Sequence, residues 1–533
     1  MQLLYNLLAL AACASAAAVP PKTPTVDLGY AKYRGVRLPS GVDQFLGMRF
    51  AKPPVGNLRF RAPQDPDVVE GIQDASQFGS ICVGGDENVD GLRAEDCLYV
   101  NVFRPSNATS CSKLPVWLYI QGGGYKVNAD YNHNGSTVVQ ESGQNMIFVN
   151  FNYRVGALGF LNSEKVREDG SLNAGLLDQR KVLHWVKKNI AKFGGDPNHV
   201  VIHGDSAGGG SVSFHLTAYG AEKDNDLFVG AAPQNPFWPT LRAVSEMEFQ
   251  YERLLNQTKC TDLACLRRLD INTFQQSTRT QALLGAASND PLPLWYWLPV
   301  VDDDLVVGQF YDMFDQGRFI RVPLLVGDDT NEGSYFAVNA NTEDEVSVFL
   351  KNNYPHLTNE QLQEIRDFYP QMAPEPKHNA WFPTASAAYG DCTFTCPGNY
   401  LATSMARYLD PSRVWNYRFN VQDPDNLANG LGVPHAFEMT AVLGVGNVGF
   451  SAPSYSGINA NIVPVTMDYY ISFIRTLNPN TYRHAGSPTW DAFGDGTGQR
   501  LKLQTNETAM EIVPESQVRQ CALWRSLAPE LEQ

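Results

Sequence analysis

Basic residues are scarce in this sequence, and their scarcity argues against nucleic acid as a partner. Lys and Arg together number 41 against 56 Asp and Glu, so the net charge at pH 7 is −15. No run of basic residues interleaved with aromatic ones occurs, whereas binding to a phosphate backbone needs a basic surface. We therefore expect no nucleic-acid partner.

Long apolar runs and linkers are missing as well. After residue 25 no segment is long and apolar enough to span a bilayer, so no stable membrane span is expected. The same region contains no Pro/Ser/Gly-rich linker, no repeat and no low-complexity block. Because large open α/β enzymes often form one unit, we predict a single domain over residues 19–533 in spite of the length of 533 residues.

The first 18 residues are predicted to be a secretory signal peptide. No charged side chain precedes Lys22, and an apolar stretch is followed by the small residues Ala14-Ser15-Ala16 and then by a pair of prolines. A membrane anchor is the alternative, but the apolar part is short and ends in alanines. The predicted location is therefore extracellular.

Cysteine is also infrequent, and its number fits secretion. Loss of Cys13 with the signal leaves eight of nine cysteines, and an oxidising compartment favours pairs. From spacing we predict the pairs Cys82–Cys97 and Cys260–Cys265. A small ring between Cys392 and Cys396, with buried free thiols at Cys111 and Cys521, is one arrangement of the other four, whose pairing stays open. Four Asn-x-Ser/Thr acceptors for glycans are present, at Asn107, Asn134, Asn256 and Asn506.

The segment VVIHGDSAGGGSV has the order of a strand, a glycine turn and a helix. His199 to His203 form a short apolar run typical of a buried strand, and the residues after Ser206 fit a helix. A serine at such an elbow needs small neighbours, which Gly204 and Gly208 provide. The N–H group of Ala207 would then point from a helix N-terminus towards the serine oxygen. A plain helix cap is the alternative, but the pattern favours a nucleophile.

A serine nucleophile also needs donors for the oxyanion, a base and a group that orients the base. A strand-like run, Leu114 to Ile120, leads directly into Gly122, Gly123 and Gly124, whose N–H groups can line a cavity. The alternative for these glycines is a flexible turn.

The orienting acid is expected after another predicted strand, Val322 to Val326. It ends in a polar turn, and spacing does not choose among Asp328, Asp329 and Glu332. In this architecture the histidine follows the acid, and His435 precedes a helix-like stretch whereas His356, His378 and His484 lie in polar segments.

Together these motifs resemble the type B carboxylesterase family, the α/β-hydrolases that include cholinesterases and fungal lipases. The similar segments are FLGMRFAKPPVGNLRFRAPQ, EDCLYVNVFRP, FNYRVGALGFL and NAGLLDQRKVLHWVKKNIAKFGGDPNHVVIHGDSAGGGSV, spread over nearly all of the mature chain. The resemblance implies an α/β-hydrolase fold with a large, mostly parallel central sheet flanked by helices.

Carried over residue by residue, the resemblance implies that Ser206 is the nucleophile, Glu332 the acid and His435 the base. The oxyanion would be held by the N–H groups of Gly123, Gly124 and Ala207. The resemblance also implies the disulfides Cys82–Cys97 and Cys260–Cys265 and the ion pairs Arg59–Glu95 and Arg154–Asp178.

Three departures from the family pattern narrow the substrate. Asp205 precedes the nucleophile where Glu is usual, and Gln121 and Tyr125 flank the glycines in place of the usual residues. The loop VGGDENVDGLRAED between Cys82 and Cys97 holds five acidic residues, no tryptophan and no long apolar flap. Choline-binding relatives use a tryptophan there for cation–π contact, and lipases use a long lid. A cholinesterase and a strongly interface-activated lipase are therefore disfavoured.

We predict a secreted, glycosylated carboxylic ester hydrolase that acts on a small-molecule ester and needs no metal or organic cofactor. A lipase or sterol esterase is the alternative, and a non-catalytic binding or adhesion protein is the remote one. The oligomeric state stays open. The predicted pocket walls are Phe237, Trp238, Trp295 and Trp297.

Overall fold

A computed structural model describes residues 23–279, 293–449, 451–494 and 498–533. The predicted signal peptide, residues 1–18, lies outside the described residues. Sixteen strands are present in this part of the chain: β1 (Thr25–Asp27), β2 (Lys32–Arg34), β3 (Val36–Arg37), β4 (Val42–Arg49), β5 (Ile72–Asp74), β6 (Ile81–Cys82), β7 (Arg93–Ala94), β8 (Tyr99–Pro105), β9 (Leu114–Ile120), β10 (Ile147–Phe151), β11 (Gly195–Asp205), β12 (Gly230–Gln234), β13 (Leu324–Asp329), β14 (Val414–Phe419), β15 (Gln499–Leu503) and β16 (Ala509–Ile512).

Eleven of these strands form the central sheet, in the order β16-β15-β14-β13-β12-β11-β9-β10-β8-β4-β3. In this order, the strands β15, β14, β13, β12, β11, β9 and β10 run parallel to one another. The strand β16 at one edge and the strands β8, β4 and β3 at the other pair in antiparallel fashion. The predicted α/β-hydrolase architecture, a mostly parallel sheet flanked by helices, is confirmed. Strands β1, β2 and β5 form a second small sheet, and β6 and β7 a third.

The parallel strands are buried on both faces, and their side chains alternate between two cores. In β9, Val116, Leu118 and Ile120 belong to one core, whereas Trp117 and Tyr119 belong to the other. This period of two follows from the pleat, and apolar residues at both parities are typical of a strand covered on each side. Helices must therefore cover both faces.

The helices supply this cover. Ala174–Asn189 and Ala207–Thr217 pack on the core of Val116, and Ser136–Glu141 and Ile462–Thr476 pack on the core of Trp117. The remaining described α-helices are Gly156–Phe160, Glu164–Asp169, Glu248–Thr258, Leu263–Arg268, Ile271–Thr278, Phe310–Asp315, Glu343–Asn353, Asn359–Phe368, Phe382–Gly390, Cys396–Tyr408, Pro424–Ala428, Met439–Leu443, Glu515–Ser526 and Ala528–Leu531. None of the described helices is long and apolar enough to cross a membrane.

The cysteine predictions are partly wrong. The structure contains the disulfides Cys82–Cys97 and Cys260–Cys265, but the third disulfide joins Cys396 to Cys521. Cys392 and Cys396 lie four residues apart in one continuous helical segment, where side-chain β-carbons are about 5–6 Å apart and too distant for a disulfide. Cys392 is therefore a buried free thiol, and Cys111, predicted to be buried, is exposed.

Candidate active site

The segment around Ser206 forms a sharp elbow between β11 and the helix Ala207–Thr217. Ser206 has φ 55° and ψ −124°, a conformation that side chains rarely adopt. A β-carbon on Gly204 would lie 2.4 Å from the backbone of Gly208, and one on Gly208 would lie 2.0 Å from the carbonyl oxygen of Ile120. Only glycine fits at both positions, as the Gly-x-Ser-x-Gly pattern predicts.

Backbone hydrogen bonds hold the elbow against the next strand. The N–H group of Ser206 donates to the carbonyl of Gln234 at 3.0 Å, and the carbonyl of Ser206 accepts from Phe237 N at 3.0 Å. These bonds offset the strain of the positive φ, because the chain on both sides of the turn is fixed.

The glycine-rich segment after β9 lies directly against the elbow. A β-carbon on Gly122 would lie 2.8 Å from the β-carbon of Ser206, so only a glycine lets the two segments approach this closely. Gly123 and Gly124 have φ of 116° and 62°. Residues with a side chain rarely adopt such positive φ angles, so this turn requires glycine. Within the described part of the chain, the N–H groups of Gly123, Gly124 and Ala207 donate to no protein acceptor. Three donors are thus available beside Ser206.

His435 and Glu332 are brought together by a contact between the segments that follow β14 and β13. Asn331, next to Glu332, pairs with Val433, two residues before His435: each backbone N–H donates to the other residue, at 2.9 Å, with the Asn331 side-chain oxygen as one of the acceptors. Gly432 makes this contact possible, since a β-carbon there would lie 2.1 Å from the Asn331 side chain. The two segments are therefore held in a fixed register.

The Glu332 carboxylate is fully occupied by donors. Its Oε2 is hydrogen-bonded to Nδ1 of His435. Its Oε1 accepts from the backbone N of Asp329 and from Nδ2 of Asn235, both at 2.6 Å. Of the three acids that spacing left open, Glu332 is the one that contacts the histidine.

The other ring nitrogen of His435 is free. Nε2 is buried and has no hydrogen-bond partner among the described residues. The rings of Phe394 and Phe336 pack against the imidazole, with centroids 4.3 and 5.1 Å away, and fix its plane. A neutral imidazole in this position can accept a proton at Nε2 while Glu332 stabilises the cation that results.

Another histidine of the sheet is neutral and structural. His203 accepts a hydrogen bond from the Trp117 indole and contacts the Gln234 side chain at 2.8 Å. Burial lowers the pKa of His203 to about 3, so it stays uncharged at neutral pH. His203 is therefore a residue of the core.

Comparison with known proteins shows which family the chain belongs to. The model of the carboxylesterase family matches residues 22–524, which is nearly the whole chain.

The chain belongs to the carboxylesterase family.

Individual members agree with this assignment. Secreted lipase 4 of Gibberella zeae is 30% identical over 514 residues, covering 92% of this chain and 89% of the relative. The para-nitrobenzyl esterase of Bacillus subtilis is 30% identical over 521 residues, covering 93% of this chain and 97% of the relative. The crystal structure of Aspergillus niger EstA superposes with a TM-score of 0.93 at 57% identity and covers 96% of this chain and 99% of that one. As a member of this family, the protein is a carboxylic ester hydrolase.

The residues predicted as pocket walls of this carboxylesterase fall into two groups. The Trp295 ring lies so close to Gly124 that a β-carbon there would be 2.1 Å from it, and Phe237 packs against Trp295 at 5.5 Å. Trp238 instead stacks on Phe314 in the core and donates to Ser213. Trp297 is buried beside Tyr296.

The side chains at two departures from the family pattern are buried. The side chain of Gln121 donates to the Phe151 carbonyl and to Asn152, both at 3.1 Å. The Tyr125 ring is buried between Phe160 and Phe214. Both side chains belong to the core, so replacing the usual residues here changes packing beneath the glycines.

A cavity of about 380 Å³ is lined in part by His435. Its lining includes Asp130, Tyr131, Tyr335, Phe437 and Tyr455 together with the histidine. Asp205, the third departure, lies buried behind this lining and accepts a hydrogen bond of 2.5 Å from Tyr119. Burial and the nearby charge of Asp130 raise the pKa of Asp205 well above its ordinary value, which favours its neutral form.

Ion pairs fix the loop between Cys82 and Cys97. Each of its five acidic residues has a basic partner: Asp86–Lys126, Glu87–Arg93, Asp90–Arg93, Glu95–Arg59 and Asp96–Arg49. The disulfide closes the base of the loop, and Gln275 donates to the Gly84 carbonyl at 2.7 Å. Four basic residues thus hold the five acidic ones, since Arg93 pairs with both Glu87 and Asp90, and the loop is tied down at several points.

Three of the four predicted glycan acceptors are exposed. Asn107, Asn256 and Asn506 lie at the surface. Asn134 is half-buried, and its side-chain oxygen accepts from the backbone N of Ser136 at 3.0 Å. Asn134 is therefore already engaged in a local turn.

Sequence reasoning missed Asn235, which donates to the Glu332 carboxylate. The residue directly follows β12 at the carboxyl edge of the sheet, where functional groups collect in α/β proteins. That position is the signal in the sequence that points to Asn235.

Proposed function

We propose that this carboxylic ester hydrolase is a secreted serine esterase that works through Ser206, His435 and Glu332. His435 Nε2 takes the proton of the Ser206 hydroxyl as its oxygen attacks the acyl carbon. The oxyanion is held by the N–H groups of Gly123, Gly124 and Ala207. The imidazolium then protonates the departing alcohol, and water repeats the sequence on the acyl-enzyme.

One observation carries this proposal. His435 is bonded to Glu332 through Nδ1, and among the described residues its Nε2 has no partner and three N–H groups beside Ser206 have no acceptor. A purely structural elbow has no need of unpaired donors, because buried polar groups are normally satisfied. The rival of a non-catalytic binding protein leaves this set of groups without a use.

The fixed loop between Cys82 and Cys97 favours short and medium acyl chains without activation at an interface. A lipase or sterol esterase is the alternative, since relatives such as secreted lipase 4 carry that name. The five ion pairs and the disulfide supply no mobile apolar flap in the loop. The expected substrates are therefore esters dissolved as single molecules, not esters gathered at a lipid interface.

The test is hydrolysis of p-nitrophenyl esters of increasing acyl length, with and without a lipid interface. We expect turnover of short and medium chains, no jump in rate above the solubility limit, and loss of turnover in Ser206→Ala. The exposed Ser112→Ala is the matched control and keeps full activity. A rate that rises steeply at the interface would establish the lipase alternative, and inert wild-type protein would leave the binding-protein rival.

Covalent labelling tests the nucleophile independently of the ester chosen. A fluorophosphonate probe adds its phosphonyl group to an activated serine and releases fluoride. We expect one adduct on the peptide that contains Ser206, and none in Ser206→Ala. An adduct elsewhere would contradict the assignment.

Secretion has its own test. The signal predicted over residues 1–18, the three disulfides and relatives named as secreted lipases support it. Expression of the full chain in a fungal host should deliver the protein to the medium with a new N-terminus near residue 19. Retention of the protein inside the cell with residues 1–18 intact would refute it.

A further inference from the structure

Two carboxyl groups that the reaction does not use lie directly behind the Glu332–His435 pair. Asp329 ends β13, three residues before Glu332, and Glu438 follows His435 by three residues. Their exposures are 1% and 0%, so neither reaches water. Burial of a charged carboxylate is costly unless it is paired or hydrogen-bonded, so each of their oxygens needs a partner.

Two of the four carboxyl oxygens accept a hydrogen bond. Oδ2 of Asp329 accepts from Phe437 N at 3.1 Å and from Asn235 Nδ2 at 3.2 Å. Oε1 of Glu438 accepts from the Tyr417 hydroxyl at 3.1 Å. The other two oxygens, Oδ1 of Asp329 and Oε2 of Glu438, are buried and accept from no donor in the described residues. The two side chains lie within hydrogen-bonding reach of each other, so a single proton would satisfy both oxygens.

The charges around the pair oppose full ionisation. In the part of the chain that the structure describes, no Lys or Arg forms an ion pair with Asp329 or Glu438. The nearby acidic groups are Glu332, Asp328 and Asp205, and the nearby cations are His435 when protonated and Arg500, which is bonded to Glu511. Burial, reinforced by the neighbouring carboxylates, raises the pKa of Asp329 well above its ordinary value, and burial also raises that of Glu438.

The pair is connected to the catalytic acid through two donors. The backbone N of Asp329 and Nδ2 of Asn235 both donate to Oε1 of Glu332, and the same Asn235 nitrogen also contacts the Asp329 carboxyl. We infer that Asp329 and Glu438 share one proton, and that this pair, with a single negative charge, positions Glu332 and contributes to the field that stabilises protonated His435. The two acids are positioning residues, and their effect on rate rests on the proposed roles of Glu332 and His435.

The test compares Asp329→Asn, Glu438→Gln and the double variant. Each single amide can still hydrogen-bond to the remaining carboxylate, which keeps one negative charge as in the wild type. We expect kcat to fall severalfold in each single variant, while the midpoint of the acid limb of the kcat/KM profile stays in place. The double variant removes the charge, so protonated His435 loses stabilisation and the midpoint moves to lower pH by about one unit.

Two outcomes of the pH profiles would overturn the inference. If both acids were ionised, each single variant would already move the limb to lower pH. If both were neutral, not even the double variant would move it. Asp302→Asn is the control for the loss of stability that follows removal of any buried carboxyl. Asp302 is buried and bonded to Asn173, outside this network, so we expect the acid limb of its kcat/KM profile to match the wild type.

Infrared spectroscopy counts the shared proton without any substrate. At neutral pH we expect each single variant to lose the carbonyl band of one protonated carboxyl, and the double variant to lose no more than that. No loss in the single variants, or loss of two bands in the double, would refute the shared proton. Because this measurement does not depend on turnover, it separates failure of this inference from failure of the proposed esterase mechanism.

Discussion

The two sides of His435 differ in how completely their polar groups are satisfied. On the Nδ1 side, the filled half, Glu332 accepts three hydrogen bonds and is backed by Asn235 and Asp329. On the Nε2 side, the open half, the ring nitrogen and the N–H groups beside Ser206 have no protein partner among the described residues. In the proposed mechanism the filled half orients His435, and the unmet hydrogen-bonding capacity of the open half is left for the reacting ester.

Glu332→Gln removes the charge at the centre of the filled half and should have the largest effect. The amide can keep the shape but no longer stabilises the imidazolium, so kcat should fall by about 10⁴-fold. Stopped-flow measurement of the acylation burst gives the loss directly. Glu345→Gln on an exposed helix is the control. A loss below tenfold would mean that the filled half does not serve the reaction.

Gly124→Ala disturbs the open half. The added carbon would meet the Trp295 ring at 2.1 Å and displace a donor of the oxyanion, so kcat should fall by about 10²–10³-fold with a smaller change in KM. Gly56→Ala is the matched control, because Gly56 has a similar φ of 57° and nothing within 4 Å of the new carbon. Equal losses in the two variants would show that backbone strain, and not the position of the donor, is responsible.

Asp391→Asn concerns a second cavity, of about 170 Å³, which borders the filled half behind Glu332. Burial raises the pKa of Asp391 from 3.8 to about 6, so the folded protein binds this proton more tightly than the unfolded chain does. Its contribution to stability is present below about pH 4 and is lost as the pH rises through about 6. Relative to wild type, the free energy of unfolding of the variant should rise by about 2 kcal/mol between pH 3.5 and 7, with allowance for partial exposure.

Urea unfolding at each pH measures this difference. Asp367→Asn, on an exposed surface, is the control and should show no such trend. A constant difference between Asp391→Asn and wild type across this range would contradict the shifted proton affinity.

Asn235→Ala should have the smallest effect on kcat, and it tests a single hydrogen bond of the filled half. It removes one donor from Glu332 and leaves the backbone N of Asp329 in place, so kcat should fall by about tenfold, as expected for loss of one hydrogen bond to a charged group. Asn145→Ala removes an amide whose donors, among the described residues, bond its own turn, and it should leave kcat unchanged. An unchanged kcat in Asn235→Ala would show that the backbone donor alone fixes Glu332.

Local patterns predict the open half of the site well. The strand Leu114 to Ile120 has the predicted bounds, and the glycines after it and around Ser206 are where close backbone contacts leave no space for a side chain. Because these contacts join residues close in sequence, they require glycine at fixed spacings, and those spacings can be read from the sequence. Asp328 and Asp329 were expected in a turn but belong to β13, which begins two residues later than predicted and runs to Asp329.

The filled half depends on contacts between distant segments, and sequence says less about those. Asn235 follows β12, Asp329 ends β13 and Glu438 directly precedes the helix Met439–Leu443. Each is an ordinary polar residue in its own segment. The partner of Cys396 lies 125 residues away for the same reason, whereas spacing favoured the neighbour that helical geometry excludes. Packing of the whole sheet is what brings these groups together.

The disulfide between Cys396 and Cys521 has a consequence for the making of the protein. A ribosome that adds about 5–20 residues per second needs roughly 6–25 seconds to synthesise the 125 residues between the two cysteines. During that interval Cys396 lacks its partner, and Cys392, four residues away, offers Cys521 a second thiol once it is made. Biosynthetic yield should therefore depend on disulfide isomerase in the compartment where the chain is oxidised, and replacement of Cys392 by alanine should lessen that dependence.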